Sequence, residues 1–128
     1  MPIDVTEIIV DRGRCARAEW PEESLFDHYE KRAREDPRIK SAIAYERMAR
    51  DTIRKGRIFW FKYRSRMRIG FYNSKAHILT VVSRDQSRIL TCITGVSYGY
   101  VKRLYQAEGA GRIVDWPGCT LEREIDTK

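Results

Sequence analysis

Two histidines are the side chains of this sequence best suited to proton transfer near neutral pH. His28 lies beside the apolar stripe of a predicted helix. Arg32 follows one helical turn later, so both should project along one helix edge. His77 falls near the start of a predicted strand, on the side that it shares with Leu79 and Val81. A single histidine is more often structural than catalytic, so both interpretations stay open for each of the two.

Two arginines alternate with apolar residues over the segment 66–72, which has the period of a strand. Its apolar side chains should face the core: Met67, Ile69 and Phe71. The opposite side then carries Arg66, Arg68 and Tyr72. A guanidinium group binds phosphate in two-point geometry, and an exposed aromatic ring can stack on an unpaired base. The segment therefore predicts contacts with a nucleic-acid backbone.

The preceding predicted strand carries aromatic residues on both of its sides. We expect Phe59 and Phe61 in the core, which leaves Trp60 and Lys62 outward beside the arginines. Trp60 would then be a stacking platform for a base, and Lys62 a contact to the backbone. Ordinary packing under a loop or the C-terminal tail is the alternative for Trp60 and for Tyr72.

The fourth predicted strand ends in hydroxyl residues. Thr91 points inward if Ile89 and Ile93 are in the core, so Thr94 is the better candidate for an outward hydroxyl. The preference of threonine for strands is the alternative explanation for both residues.

The excess of positive charge is concentrated in one part of the chain. The net charge is +7, whereas residues 52–84 contain 9 basic residues and no acidic one. Such a stretch creates a local positive field that attracts polyanions. Protection of a strand edge by charge is the alternative. The residues predicted to contact nucleic acid around the reacting groups are Arg32, Trp60, Lys62, Arg64, Tyr72, Lys75 and His77.

Several other kinds of site are disfavoured. Cys15, Cys92 and Cys119 are widely spaced, which is typical of structural thiols and not of a metal site. There is no phosphate-binding glycine motif, and the carboxylates lie mostly on predicted helix surfaces. We therefore expect no cofactor and a chemistry without a metal ion. The sequence shows neither a membrane-spanning apolar run nor a secretory signal, so the expected location is the cytoplasm.

A single α+β domain over residues 1–128 is expected to position these groups. The N-terminal region is predicted to form an arm over 5–10 and a loop over 12–20. Helices are predicted over 22–35, from Pro37 to about Lys55, and over 97–107. An irregular tail follows the last helix, and residues 114–117 of this tail are expected to pack against the rest of the domain. Strands are predicted over 57–63, 66–72, 76–83 and 87–94. The short connectors permit only hairpins. The two N-terminal helices should therefore pack on one face of a four-stranded antiparallel meander, with the other face exposed or used for binding.

This order of elements resembles the ribonuclease superfamily that groups barnase, EndoU, ribonuclease colicins and RelE, and in particular its phage-associated members. The similarity covers roughly residues 24–95. Three short motifs carry it: a histidine in an early helix (Asp27-His28-Tyr29), an arginine-bearing central strand (Arg66-Met67-Arg68-Ile69) and a last strand that ends in hydroxyl residues (Leu90-Thr91-Cys92-Ile93-Thr94).

The resemblance implies a toxin-like enzyme that cleaves RNA, such as tRNA or mRNA, by attack of the ribose 2′-hydroxyl on the adjacent phosphorus. That reaction needs a base, an acid and cations that stabilise the charge developing on the phosphate. Under this hypothesis His28 is the base or the acid, and Arg66 and Arg68 stabilise the phosphate. Lys62 steers the backbone, and Thr94 positions an oxygen. An acidic inhibitor protein that shields the same surface is a further implication.

Two other functions fit the same residues. A non-catalytic regulatory or host-takeover protein would bind nucleic acid through the basic sheet face, and a protein-interaction factor would dock that face on an acidic partner. Loss of function at His28 without loss of affinity distinguishes catalysis from binding. A steep dependence of affinity on salt distinguishes a nucleic acid from a protein partner.

Overall fold

The computed structural model describes residues 10–107 and 110–112. Most of the predicted arm, Cys119 and the segment 114–117 lie outside these residues. The described elements are α1 (Arg12–Ala16), α2 (Glu22–Ala33), α3 (Ala42–Lys55), β1 (Arg57–Tyr63), β2 (Arg66–Asn73), β3 (Ile78–Ser83), β4 (Ile89–Thr94), α4 (Tyr98–Gln106) and β5 (Gly111–Arg112). The predicted α+β fold is confirmed: helices precede a four-stranded antiparallel meander, and another helix follows it.

Serine side chains set the starts of the two amphipathic helices α3 and α4. The hydroxyl of Ser41 accepts the backbone amide of Ala44 at 3.0 Å, and the hydroxyl of Ser97 accepts that of Tyr100 at 3.2 Å. Each bond satisfies one amide that has no partner within its helix, so these serines define where the helices begin.

The chain before α3 forms a turn, and the prediction that this helix starts at Pro37 is wrong. The Asp36 carboxylate accepts the backbone amide of Arg38 at 2.9 Å and pairs with its guanidinium group at 2.8 Å. These local bonds compete with helical ones and delay the helix until after Ser41. The hydrogen bonds from Arg38 lower the pKa of Asp36 to about 2.

The loop predicted over 12–20 contains the short helix α1 instead. Asp11 caps it by accepting the backbone amide of Arg14 at 3.0 Å. Two arginines join α1 to α3, because Arg50 donates to the Ala16 carbonyl at 2.8 Å and Arg12 donates to the Ile53 carbonyl at 2.7 Å. Part of the positive charge of the chain is thus used inside the fold.

The five strands are arranged in the order β4-β3-β2-β1-β5, with every neighbouring pair antiparallel. The turn between β1 and β2 consists of Arg64 and Ser65, whose φ angles are 50° and 66°. A two-residue turn with positive φ at both positions is typical of a tight hairpin, and it fixes the register of the two strands. Phe61 consequently lies opposite Arg68.

The sheet is covered on both faces. The face toward α1, α2 and α3 buries the strand residues Ile58, Trp60, Ile69, Phe71, Ile78, Val82, Ile89 and Cys92. The face toward α4 buries Phe59, Phe61, Tyr72, Leu79 and Val81 together with Val96, Val101 and Tyr105. The expectation of an open second face is therefore wrong for the part that α4 covers.

The predicted orientation of β1 is inverted. Trp60 is 2% exposed and packs on the side of the N-terminal helices, whereas Phe59 and Phe61 face the α4 side. A strand covered on both faces carries apolar residues at every position, so its periodicity does not tell the two sides apart.

Gly70 in the middle of β2 leaves room for the ring of Phe59 on the neighbouring strand. An ideal Cβ at position 70 would lie 2.4 Å from Cζ of that ring. The phenyl group therefore occupies the space above the glycine, and it locks the pairing of β1 with β2 on the α4 side.

Both edges of the sheet are paired. Next to β4, Glu19 forms a parallel bridge with Arg88, and its carbonyl accepts the amide of Ile89 at 2.8 Å. Next to β1, the short strand β5 pairs over Gly111 and Arg112. These contacts protect backbone groups that would otherwise be available to another chain.

Candidate active site

A cavity of about 340 Å³ opens on the α4 side of the sheet; we call it the cleft. Helix α2, all four strands of the meander and α4 contribute to its lining. Its polar side chains are His28, Arg32, Tyr63, Arg68, Thr91 and Tyr100. Its apolar side chains are Phe61, Leu79, Val81, Leu90, Ile93 and Leu104. Three residues that the sequence predicts in separate segments, His28, Arg32 and Arg68, thus line one cavity.

His28 reaches the cleft from α2 and is held on both of its sides. Its Nδ1 lies 3.2 Å from Oγ1 of Thr91, and its ring centroid lies 6.4 Å from that of Trp20. When Nδ1 carries the proton, it donates to the threonine oxygen and leaves Nε2 as a proton acceptor. The contact therefore orients the ring, and in that tautomer Nε2 can act as a general base.

The surroundings of His28 lower the pKa of its imidazole below the ordinary value of 6.5. Burial is the largest cause, and the positive charges of Arg32 and Lys31 act in the same direction. Asp27 opposes the shift only in part. The ring is consequently neutral at pH 7 and able to accept a proton.

Arg32 is anchored against the edge of β4. Its Nε donates to the Cys92 carbonyl at 3.3 Å, and its Nη1 lies 3.9 Å from the carboxylate of Glu35. The hydroxyl of Tyr45 donates to the same carbonyl. The side chain of Arg32 is only 14% exposed, so its charge acts in a partly desolvated environment, where it is stronger than at an open surface.

Arg68 contributes a second guanidinium group to the cleft. Its Nε is buried and has no hydrogen-bond partner among the described residues. Its guanidinium carbon lies 6.0 Å from the centroid of the Tyr63 ring, and that of Arg64 lies 5.2 Å from the same ring. A buried N–H without an acceptor is uncommon in a folded protein and is typical of a position that an anion or a water molecule completes.

A β-bulge brings Thr91 into the cleft. Ile89 pairs with Val82 and Thr91 pairs with Val81, so Leu90 is an extra residue between two consecutive pairs. Both Leu90 and Thr91 consequently line the cleft. Strict alternation from Ile89 predicts Thr91 inward, and the bulge is the reason why that prediction is wrong.

Thr94 is placed away from the cleft. Its hydroxyl donates to the carboxylate of Asp36, in the turn before α3. Because Cys92 on the same side of β4 is buried against the helices, Thr94 lies on the helix side of the sheet. The predicted role of Thr94 in positioning a substrate oxygen is therefore wrong.

Three of the predicted nucleic-acid contacts lie elsewhere in the fold. Trp60 is in the core, and Tyr72 is 3% exposed with its hydroxyl bonded to the Val96 carbonyl at 2.7 Å. Neither ring is accessible for stacking on a base. Lys62 is exposed but lies opposite Met67, on the sheet face away from the two arginines of β2, so it cannot accompany them.

The other predicted contacts are exposed and divide between the two ends of the sheet. Arg64 lies at the turn between β1 and β2. Arg66, which was predicted to stabilise the phosphate, begins β2 at the same turn and does not line the cleft. Lys75 and His77 lie in the connection between β2 and β3, which a meander places at the opposite end. His77 has a φ of 59° and precedes the strand that was expected to contain it. The acid-free segment therefore forms two basic regions instead of one.

The sequence analysis missed two groups of the cleft, Tyr63 on β1 and Tyr100 on α4. The signal for Tyr63 is present in the sequence. A two-residue connector at Arg64 and Ser65 pairs Tyr63 with Arg66 and hence Phe61 with Arg68, which places these residues on one face. The sequence does not predict that Tyr100 lies in the cleft, because the position of α4 depends on its packing against the sheet face formed by all four strands of the meander.

The thiols of Cys15 and Cys92 are buried, and desolvation raises the pKa of Cys92 to about 12. Neither forms a thiolate near neutral pH, which agrees with a structural role.

Within residues 10–107 and 110–112, no group of three histidine, cysteine or acidic side chains is placed to hold a metal ion. None of the helices described is long and apolar enough to cross a bilayer.

Comparisons of the chain with protein-family models, with curated proteins and with solved structures returned no match. The fold and the cleft therefore define this molecule as an α+β protein with a cationic cavity that contains a neutral histidine. The resemblance to the barnase, EndoU, colicin and RelE ribonucleases stays a prediction.

Proposed function

We propose that this protein is an endoribonuclease that cuts RNA by attack of a ribose 2′-hydroxyl on the adjacent phosphorus, without a metal ion. The observation that carries the proposal is the convergence of His28, Arg32 and Arg68 in one cleft. The reaction needs a proton acceptor and cations at the phosphate, and these side chains supply both.

His28 is the proposed general base. The lowered pKa keeps its imidazole neutral, and in the tautomer with the proton on Nδ1 the ring donates to Oγ1 of Thr91. Nε2 then takes the proton of the 2′-hydroxyl while the oxygen forms its bond to phosphorus. Thr91 is a positioning residue in this scheme.

Arg32 and Arg68 are the proposed stabilisers of the phosphorane. The negative charge on the non-bridging oxygens increases as the 2′-oxygen bonds to phosphorus. Two guanidinium groups at that point stabilise the transition state more than the bound substrate, and the activation barrier is lower as a result. The Nε–H of Arg68 has no partner among the described residues, so it can donate to a phosphate oxygen without first losing a hydrogen bond within the protein.

The leaving 5′-oxygen requires a proton when its bond to phosphorus breaks. The hydroxyls of Tyr63 and Tyr100 are the proposed donors of this proton, because both side chains line the cleft. Tyr63 is the preferred candidate, because the guanidinium carbon of Arg68 lies 6.0 Å from its ring centroid. The products are a 2′,3′-cyclic phosphate and a 5′-hydroxyl end.

The composition of the cleft supports chemistry by side chains alone. Among the described residues that line it there is no carboxylate, the usual ligand of the magnesium ions of nucleases. DNA lacks the attacking 2′-hydroxyl, so the proposed substrate is RNA, with tRNA and mRNA as the first candidates. The cytoplasmic location and the acidic inhibitor expected from the sequence belong to this proposal as well.

The test is incubation of the purified protein with labelled tRNA and with total RNA in EDTA. We expect discrete fragments ending in 2′,3′-cyclic phosphate, and a fall in rate of about 10²- to 10⁴-fold for His28→Ala. Arg47→Gln, which removes an exposed charge from α3, is the matched control for Arg68→Gln.

The outcomes separate the proposed functions. Full cleavage by both His28→Ala and Arg68→Gln would exclude the cleft as the active site. RNA that is retarded in a gel at low salt but stays intact would support the non-catalytic nucleic-acid-binding protein instead. RNA that is neither bound nor cut would favour an acidic protein partner.

A further inference from the structure

A second depression, of about 750 Å³, lies at the end of the sheet where the β1–β2 and β3–β4 turns are side by side; we call it the tip depression. Its charged residues are Arg66, Arg68, Arg84, Arg88 and Asp85. Arg68 and Leu90 line both this depression and the cleft, so the two cavities adjoin. Arg68 is thus placed to contact a ligand in either cavity.

The tip depression carries four guanidinium groups and one carboxylate, a net charge of +3. Between the described residues, Arg66, Arg84 and Arg88 form no ion pair. The carboxylate is directed into its own turn, where Oδ1 of Asp85 accepts the hydroxyls of Ser83 at 2.7 Å and Ser87 at 2.6 Å. The guanidinium groups are consequently not neutralised and attract an anion.

The backbone that carries these arginines is held in place. The amide of Arg88 donates to the hydroxyl of Ser83 at 3.1 Å, and Glu19 pairs with Arg88 from the edge of the sheet. The guanidinium carbon of Arg84 lies 5.9 Å from the ring centroid of the buried Trp60. The backbone of this turn is therefore ordered before an anion binds.

We propose that the tip depression binds the phosphodiester group next to the one that is cleaved, so that the substrate is an unpaired RNA strand lying across both cavities. This inference rests on the proposed function. The exposed aromatic side chains of the cleft, Tyr63 and Tyr100, suit an unstacked base. Base pairing would keep that base in a helical stack, and the strand would then be unable to place its next phosphate at Arg84 and Arg88.

The experiment measures binding separately from cleavage. A fluorescent hexanucleotide with 2′-O-methyl groups cannot be cut, and its anisotropy reports affinity as a function of salt. The variants are Arg84→Gln/Arg88→Gln and the matched pair Arg47→Gln/Lys55→Gln, which removes two exposed charges from α3. Circular dichroism and thermal unfolding show that each variant is folded.

We expect the tip variant to bind the hexanucleotide about 10-fold more weakly, and its slope of log affinity against log salt to fall by about 0.7 for each phosphate that the variant no longer binds. The α3 variant should bind like the wild type. Equal losses in both variants, or a hexanucleotide that the wild type does not bind, would overturn the inference. A duplex of the same sequence that binds as tightly as the single strand would overturn it as well.

The outcome for the subsite is independent of the outcome for catalysis. Binding that depends on Arg84 and Arg88, in a protein that cuts no RNA, would support the subsite and refute the ribonuclease. Cleavage with unchanged binding in the tip variant would support the ribonuclease and refute the subsite.

Discussion

Nδ1 of His28 lies 3.2 Å from Oγ1 of Thr91, although 63 positions separate the two residues in the chain. The contact joins α2 to β4 at the edge of the sheet, and it exists because a bulge turns Thr91 toward the cleft. The orientation of the imidazole therefore depends on one irregular pair in the ladder of β3 and β4.

Thr91→Val tests this contact. The valine has a similar shape but removes the hydroxyl that contacts Nδ1, so the imidazole loses a contact that orients it. We expect kcat to fall about 5-fold with little change in RNA affinity, as for the removal of a hydrogen bond of about 1 kcal/mol. Single-turnover cleavage of labelled tRNA measures the effect.

Thr94→Val is the matched control, because its hydroxyl bonds to Asp36 on the other side of the sheet. It should cleave like the wild type once corrected for any unfolded fraction. If the two valine variants are equally slow, the bulge does not define the site.

The charge of Arg32 is expected to control the pH dependence of cleavage. Arg32→Gln removes a positive charge that lowers the pKa of His28, so this pKa should rise toward 6.5. A base must be deprotonated, so the acidic limb of the profile of kcat/KM should move to higher pH. NMR titration of the imidazole measures the same shift directly.

Arg32→Lys is the companion variant, since it keeps the charge and loses the planar fork of donors. Its profile of kcat/KM against pH should keep the acidic limb at the same pH as in the wild type, whereas the maximal value of kcat/KM should be lower. An unchanged His28 titration in the glutamine variant would show that the charge of Arg32 does not contribute to the shift.

Gly70→Ala should destabilise the fold by about 1–3 kcal/mol, because the new Cβ overlaps the ring of Phe59. Adding Phe59→Leu should recover part of the loss, since a smaller side chain vacates the contact. Gly99→Ala in α4 is the control: the space around that position is open and alanine favours a helix. Urea unfolding of the wild type, Gly70→Ala, Phe59→Leu, the double variant and Gly99→Ala measures each change. Additive effects of Gly70→Ala and Phe59→Leu would contradict the packing described.

The Asp36–Arg38 pair should make stability depend on acid. The pKa of Asp36 is lowered from 3.8 to about 2, so its stabilisation is complete above 3.8 and is lost as the pH falls through about 2. Arg38 is 46% exposed, so we expect Asp36→Asn to cost only about 1–2 kcal/mol at pH 7. Urea midpoints of the variant and the wild type should converge between pH 4 and pH 2, and a constant difference would exclude this origin.

The sequence predicts most of the fold because its elements are local. Strand β1 occupies the residues expected from its apolar run, and α4 begins within one residue of the predicted start. The start of α3 could not be predicted in the same way. Proline at a first helical position and an aspartate turn are both plausible for Asp36 and Pro37, and only the tertiary position of Arg38 decides between them.

The candidate site was predictable only in part. His28, Arg32 and Arg68 follow from residue type and periodicity, but Trp60 and Thr94 were assigned to the wrong face. Periodicity does not tell the sides of a doubly covered strand apart, and it fails across a bulge. Arg84 and Arg88 were overlooked because the meeting of the two hairpin ends is a property of the sheet and not of either turn.

The pairing of Glu19 with Arg88 has a consequence for the order of folding. Neighbouring strands of the meander meet through short loops, whereas this pairing and the approach of His28 to Thr91 close much longer ones. We expect these long-range contacts to form last, after the hairpins are in place. Under the proposed function, a chain still on the ribosome would have its arginines but no assembled cleft, and it could not cut the messenger from which it is being translated.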